Sequence, residues 1–237
     1  MNSDPQATAR ANCAWGYAVA KTLFELGVNH VVFSPGSRST PLVLGCENHN
    51  GLRTIPILDE RTAAFFALGI GKRTGRPAAL ICTSGSAPTH WFPAVTEADH
   101  TGVPLLLLSA DRPPELQDCG AGQTIDQTKL FGPFARTFHQ IQLPDESEES
   151  LGNLREVIVR AYTETTGRNP GPVHLNFPFR EPLVHQDEKP VKIDLPKMVD
   201  LSESPSEAVS SKADEIVEKL GSGKRLLVIA GENAPLE

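Results

Sequence analysis

Along the first 180 residues, stretches in which apolar positions recur with helical spacing alternate with short apolar runs. Stretches with helical spacing are predicted as helices over 6–26, 41–48, 62–72, 87–99 and 150–165, with a short helix near 126–131. Short apolar runs between them are predicted as strands over 31–33, 54–58, 78–82, 103–109, 137–143 and 173–176. This alternation is typical of an α/β fold, a doubly wound and mostly parallel sheet with helices on both faces.

A change in composition divides the chain. Residues 1–184 carry the strand–helix alternation, and 185–205 are rich in proline, lysine, aspartate and serine, which predicts a linker. A polar helix and the apolar strand 225–230 then predict that 206–237 begin a second α/β domain. A helix and one strand cannot bury a core of their own, so we expect this second domain to be truncated.

Polar residues at the ends of four predicted strands suggest a ligand site. The first of these strands runs into the turn Ser34–Pro41, which ends in two hydroxyl residues and a proline that suit a helix start. The other three strands end in Asp59 and Glu60, Thr83 and Ser84, and Asp111 and Arg112. Open parallel sheets bind ligands at this edge, and an arginine near a helix start suits an anion. The alternative is an ordinary strand–turn–helix unit with a surface arginine.

Glu60 has two interpretations from its position alone. It follows a strand and precedes an apolar helix, so a partly desolvated carboxyl group there could act as a general acid or base. Acidic residues at helix starts are routine, however, and Glu60 could simply cap the helix together with Asp59. Within the same helix, Gly69 and Gly71 each cost about 1 kcal/mol relative to alanine, which suggests close packing against another helix or another subunit.

Arg38, Arg112 and Gln123 also have two interpretations each. Either arginine can hold a carboxylate through two parallel hydrogen bonds. Each could instead form a structural pair with one of the nearby acidic residues Asp59, Asp111 and Glu115. Gln123 lies in a glycine-rich loop and could orient a ligand hydroxyl or carboxyl group, or it could face water.

Composition excludes several classes of function. The 237 residues carry a formal net charge of −7 and no basic run, which argues against a general nucleic-acid binder. Four widely spaced cysteines form no CxxC pair, so a zinc site is not expected. No signal peptide and no stretch long enough to span a bilayer are visible, so we expect a cytoplasmic protein without membrane insertion. The motifs GxGxxG, GxxxxGK[ST] and GxSxG are absent.

Five segments, taken in order, closely resemble the amino-terminal part of a known enzyme family. They are SPGSRSTP (34–41), DER (59–61), TSG (83–85), ADRPPEL (110–116) and DCGA (118–121). The resemblance covers about residues 10–185 and is to the MenD family, the 2-succinyl-5-enolpyruvyl-6-hydroxy-3-cyclohexene-1-carboxylate synthases. These are thiamine-diphosphate-dependent transferases of menaquinone biosynthesis, and the resemblance implies that this chain carries the pyrimidine-binding domain.

The resemblance also implies a reaction and roles for individual residues. The family decarboxylates 2-oxoglutarate and adds the resulting succinyl semialdehyde unit to isochorismate. Glu60 matches the glutamate that activates the cofactor through the aminopyrimidine ring. The pyrimidine pocket is matched by Pro35, Gly36 and Thr83, and the substrate-binding positions by Ser37, Arg38 and Gln123. At Gly122, some members carry an asparagine beside the glutamine.

In this family a separate domain holds the diphosphate and its metal, so Mg²⁺ or Mn²⁺ ligands are not expected in this chain. The site forms between subunits, which implies a homodimer or homotetramer, or a separate diphosphate-domain chain. We therefore expect a fragment, or one chain of a split enzyme, that is inactive when isolated. Two alternatives stay open: another 2-oxo acid decarboxylase or carboligase of the same superfamily, and a non-catalytic module that binds an acidic metabolite.

Overall fold

Six parallel strands form one sheet in the computed structural model, which describes residues 4–185 and Leu195. The strands are β1 His30–Phe33, β2 Arg53–Pro56, β3 Ala78–Cys82, β4 Leu105–Asp111, β5 Phe138–Gln140 and β6 Pro172–Pro178. Their order in the sheet is β2-β1-β3-β4-β6-β5, and every neighbouring pair is parallel. After β1 the chain adds β2 on one side of it, and from β3 onward it adds strands on the other side. The topological switch point therefore lies between β1 and β3.

Five α-helices accompany these strands in the described part of the chain: α1 Pro5–Glu25, which precedes β1, and α2 Thr40–Glu47, α3 Glu60–Thr74, α4 Phe92–Thr101 and α5 Glu148–Thr166. Short 3₁₀ helices lie at Ser37–Ser39, Ala87–Trp91, Pro114–Leu116 and Gly132–Phe134. None of the helices in the described part of the chain is long and apolar enough to cross a membrane. The chain divides into two compact units, Met1–Pro196 and Lys197–Glu237. The predicted linker, apart from His185 and Leu195, and the predicted second domain lie outside the described residues.

Buried apolar residues cover both faces of the sheet. Along β4, Leu106 and Leu108 pack in the cluster that contains Trp15, on the side of α1 and α5. Leu105 and Leu107 pack in the other cluster, on the side of α3 and α4. This alternation explains why β3 and residues 105–108 of β4 form continuous apolar runs, as expected for strands with both faces covered. The predicted doubly wound α/β fold is confirmed.

Glycines bring several elements unusually close together. A Cβ on Gly45 of α2 would lie 2.1 Å from the carbonyl oxygen of Gly16 in α1, so these two helices touch through their backbones. The close packing predicted for α3 is found at Gly71, where a Cβ would lie 2.8 Å from Val103, although this contact is with the segment before β4 and not with a helix. At Gly69 a Cβ would meet nothing within 4 Å among the described residues.

One local prediction was wrong, and two others differ from the structure in helix type or in bounds. The helix expected near 126–131 is not formed; the nearest helical residues are the 3₁₀ turn Gly132–Phe134. The predicted helix 87–99 begins as a 3₁₀ helix and becomes regular only from Phe92. Strand β4 starts at Leu105 instead of 103, because the N–H of Val103 is used to close the end of α4 by donating to the carbonyl of Ala98 at 2.9 Å.

Candidate functional site

The four strands with polar ends are neighbours in the sheet. Because β2, β1, β3 and β4 are adjacent and parallel, the residues that follow them lie along one edge. At the switch point, the turn after β1 rests directly on the residue that follows β3. A Cβ on Gly36 would lie 2.4 Å from Cβ of Thr83, which is the reason that this contact requires glycine. The structure thus brings Gly36, with its neighbour Pro35, against Thr83, while Ser37 is exposed at the start of a 3₁₀ helix.

Glu60 is the first residue of α3, and Asp59 provides the helix cap by itself. The Asp59 carboxylate accepts hydrogen bonds from the N–H and the hydroxyl of Thr62, both at 2.7 Å, and these bonds lower the pKa of Asp59. Glu60 is half-buried and makes no hydrogen bond or ion pair within the described residues. Burial raises the pKa of the Cys82 thiol, and the Glu60 charge adds to that effect, so the carboxylate lies close to the end of β3. Its carboxylate is therefore available to a ligand at the switch point.

Arg38 is buried and already holds protein partners. Its Nη1 donates to the carbonyl of Phe179 at 2.9 Å, and its Nη2 donates to Oε1 of Glu181 at 2.7 Å. Burial lowers the pKa of Arg38, and the nearby Arg112 lowers it further, while Glu181 and Asp111 oppose this. A structural pair was one of the two interpretations of Arg38, but its partner is Glu181 and not one of the three acidic residues considered. The Glu181 side chain is 70% exposed, which leaves its position open to exchange with another carboxylate.

Arg112 and Gln123 meet at the turn after β3. The Nη1 of Arg112 donates to the hydroxyl of Ser84, which in turn donates to the backbone carbonyl of Gln123 at 3.1 Å. The side-chain amide of Gln123 donates back to the carbonyl of Ser84 at 3.2 Å. Gly85 has a φ of +80°, and a Cβ there would lie 2.8 Å from Gln123, so the loop can dock only on a glycine. Gln123 therefore remains exposed but is held against the turn.

Sequence reasoning placed Asp111 at the candidate site but missed the buried polar cluster to which it belongs. It consists of Ser109, Asp111, Gln127, His174 and Asn176. Burial raises the pKa of Asp111, although the hydrogen bonds that its carboxylate accepts act in the opposite direction. Burial lowers the pKa of His174 to about 3, so this imidazole is neutral. The signal in the sequence was polar residues at alternate positions of otherwise apolar strands, as in the run Val-His-Leu-Asn-Phe of β6.

Large apolar side chains are exposed on α3 and just before it. Leu58 precedes α3 and is 85% exposed, and Phe65 and Phe66 on α3 are 45% and 47% exposed. The open space at Gly69 lies on the same helix. Exposed apolar side chains grouped in this way mark a surface suited to contact another protein or domain. Within residues 4–185 and Leu195, no group of three histidine, cysteine, aspartate or glutamate side chains could hold a metal ion.

Comparison with known proteins identifies close relatives. Residues 15–130 match the family described as "Thiamine pyrophosphate enzyme, N-terminal TPP binding domain". A 2-succinyl-5-enolpyruvyl-6-hydroxy-3-cyclohexene-1-carboxylate synthase of Natronomonas pharaonis is 51% identical over 177 residues, which are 75% of this chain and 30% of the relative. The synthases of Gloeothece citriformis and Haloquadratum walsbyi are 42% identical over 228 residues and 46% over 216, or 93% and 91% of this chain and 39% and 33% of the relatives. The chain spans about a third of the length of the curated relatives it matches.

Proposed function

Because the chain belongs to the MenD family and carries its amino-terminal thiamine pyrophosphate-binding domain, we propose that it forms the pyrimidine half of a synthase active site. The proposed reaction decarboxylates 2-oxoglutarate and joins the remaining four-carbon unit to isochorismate. The observation that carries the proposal is Glu60, whose carboxylate has no hydrogen bond or ion pair within the described residues and which follows β2 at the same edge of the sheet as the contact of Gly36 with Thr83.

The residues at the switch point fit the aminopyrimidine of thiamine diphosphate. Gly36 packs closely on Thr83, and the exposed Pro35 precedes this contact, so the three residues offer an uncharged surface suited to a flat ring. Glu60 follows β2 at the same edge of the sheet. When bound, thiamine diphosphate supplies the nucleophilic carbon and the electron sink that decarboxylation of a 2-oxo acid requires. Glu60 would hold a proton at a ring nitrogen of the pyrimidine and so favour the tautomer that accepts the proton of the thiazolium carbon. Partial burial strengthens that hydrogen bond.

The substrate side of the proposed site is positively charged. Both proposed substrates carry two carboxylates, and the pKa of Arg38 is lowered first by burial and then by repulsion from the nearby Arg112. A bound carboxylate would relieve that repulsion. Ser37 and Gln123 would add a hydroxyl and an amide from the turns beside these arginines. Gly122 has no side chain to add a further polar contact to isochorismate.

We also propose that a second domain completes the site. From the family resemblance, that domain holds the diphosphate with Mg²⁺ or Mn²⁺, and it belongs to the partner subunit of a homodimer or homotetramer, or to a separate chain. Exposed Leu58, Phe65 and Phe66, which lie on or just before the helix that begins at Glu60, support this, because such a domain would cover them. We propose a cytoplasmic location, which agrees with four cysteines that are all unpaired in the described residues.

The test uses the natural polypeptide that contains this chain, assayed with thiamine diphosphate, Mg²⁺, 2-oxoglutarate and isochorismate. We expect product only with both substrates, and little turnover when pyruvate replaces 2-oxoglutarate. Glu60→Gln should lower kcat about 100-fold or more, because the amide cannot hold the proton at the ring nitrogen. Glu156→Gln, an exposed glutamate on α5, is the matched control and should leave kcat unchanged. Full activity of Glu60→Gln would favour a non-catalytic acidic-metabolite-binding module, and preference for pyruvate would favour another carboligase of the superfamily.

A further inference from the structure

A buried set of hydrogen bonds connects the sheet to the turn that holds Gln123. Gln127, which is 1% exposed, lies at its centre. Its side-chain carbonyl accepts the N–H of Gly85 at 2.9 Å. Its amide nitrogen donates to Oδ1 of Asn176 at 2.7 Å and to the carbonyl of Ala110 at 3.2 Å. One side chain therefore joins the exit of β3, the end of β4 and the middle of β6.

Asn176 determines which way the Gln127 amide points. Its Oδ1 also accepts the hydroxyl of Ser109 at 2.7 Å, and its Nδ2 donates to Oδ2 of Asp111 at 2.7 Å and to Oε1 of Gln140 at 3.0 Å. All four hydrogen-bonding positions of the Asn176 amide are filled, so rotating it would cost several bonds at once. Because Asn176 presents an oxygen to Gln127, Gln127 presents its nitrogen there and its oxygen to Gly85.

The turn at Gly85 in turn positions the groups proposed to bind substrate. Ser84, the residue before Gly85, exchanges two hydrogen bonds with Gln123 and accepts one from Arg112. Any displacement of the turn therefore moves Gln123 and Arg112 together. Glu60 belongs to α3 and makes no hydrogen bond with this set of residues.

We propose that Gln127 and Asn176 are positioning residues for the acceptor substrate, holding the Ser84–Gly85 turn so that Gln123 and Arg112 meet that substrate in the correct geometry. This inference rests on the proposed function. Both side chains are buried; Gln127 bonds to Gly85 in the turn, and Asn176 bonds to Gln127. They set the affinity for isochorismate and leave the activation of the cofactor by Glu60 unchanged.

The test compares Gln127→Met with Gln140→Met in the natural polypeptide. Methionine preserves the length of glutamine but forms none of its hydrogen bonds. Gln140 is the matched control because it also bonds to Asn176, yet it lies exposed on edge strand β5 and has no bond to the turn. We expect Gln127→Met to raise KM for isochorismate about tenfold while kcat and KM for 2-oxoglutarate stay within about twofold. Gln140→Met should leave all three constants within about twofold.

Hydrogen exchange at the Gly85 amide provides a second readout. Exchange should become faster in Gln127→Met and stay unchanged in Gln140→Met, because only Gln127 accepts that N–H. If Gln127→Met does not fold, Gln127→Ala replaces it: the smaller side chain removes the same hydrogen bonds without burying a charge or adding bulk, and KM for isochorismate should again rise about tenfold.

The possible outcomes separate the two proposals. The positioning role would be overturned if Gln127→Met left KM for isochorismate unchanged. It would also be overturned if Gln127→Met and Gln140→Met changed kcat and both KM values by the same factors. If the wild-type protein shows no turnover with these substrates, the proposed function fails. Exchange at Gly85 then decides the structural part of the inference by itself, since equal exchange in both variants overturns it.

Discussion

The contact between Gly36 and Thr83 offers a quantitative test of how the switch point is built. Substituting Gly36→Ala places a Cβ 2.4 Å from Cβ and 2.6 Å from Cγ2 of Thr83. These atoms belong to the base of a short side chain, so the backbone of β1 or β3 must move to relieve the clash. The φ of Gly36 is −178°, an extended conformation that alanine adopts freely, so the expected cost comes from packing alone.

The magnitude follows from two opposing terms. Overpacking a buried contact typically costs about 1–3 kcal/mol. Replacing glycine by alanine restricts the unfolded chain and returns about 0.4–1 kcal/mol. We therefore expect Gly36→Ala to lower the free energy of unfolding by about 1–2 kcal/mol. In the natural polypeptide, the same shift should weaken thiamine diphosphate binding, because Gly36 and Thr83 both belong to the proposed pyrimidine pocket.

Urea unfolding of this chain, followed by the fluorescence of buried Trp15 and Trp91, measures the change. Gly69→Ala is the matched control: its Cβ would meet nothing within 4 Å, and in α3 it should stabilise the chain by up to about 1 kcal/mol. Adding Thr83→Gly to Gly36→Ala removes the clashing atoms, so the two changes should couple favourably by about 1 kcal/mol. The reasoning is refuted if Gly36→Ala is as stable as Gly69→Ala, or if the coupling is absent.

Two further predictions concern charge. Glu181→Gln should lower KM for a dicarboxylate substrate severalfold, because an uncharged amide competes less well for the Arg38 guanidinium; steady-state kinetics test this, and an unchanged KM would mean that substrate does not displace Glu181. For His174, the folded pKa of about 3 lies below the ordinary value of 6.5, so the unfolded chain binds the extra proton and stability is lost as pH falls from 6.5 toward 3. The slope approaches about 1.4 kcal/mol per pH unit, and urea unfolding at pH 7 and pH 5 should show a smaller difference in His174→Gln than in the wild type; equal differences would contradict the assignment.

The failed helix near 126–131 shows where local pattern is overruled. Helical spacing favours a helix there, but the Asp126 carboxylate accepts the N–H of Thr128 at 2.8 Å, which closes a local turn that competes with helix formation. Gln127, the residue between them, then points inward to Gly85 and Asn176. Neither partner is near in sequence, so no window of local residues contains the information that selects this conformation.

The candidate site also combines features that local sequence predicts with features that depend on contacts between distant residues. Glu60, Thr83 and the turn around Gly36 were identified from the sequence because each follows an apolar strand and belongs to a specific local motif. Which residue caps α3 was undecided from sequence, because Asp59 and Glu60 are chemically equivalent candidates. The structure assigns the cap to Asp59 and leaves the Glu60 carboxylate without a hydrogen bond or ion pair in the described residues.

The sequence by itself determined most of the elements and the sheet edge that carries the candidate site residues, since hydrophobic period and turn residues act over a few positions and parallel strands share a direction. Tertiary structure alone decided which polar groups meet. The pairing of Arg38 with Glu181 joins residues 143 positions apart, and the bond from Gln127 to Asn176 joins residues 49 positions apart. Such bonds depend on the order of strands in the sheet and on burial, which no short stretch of sequence encodes.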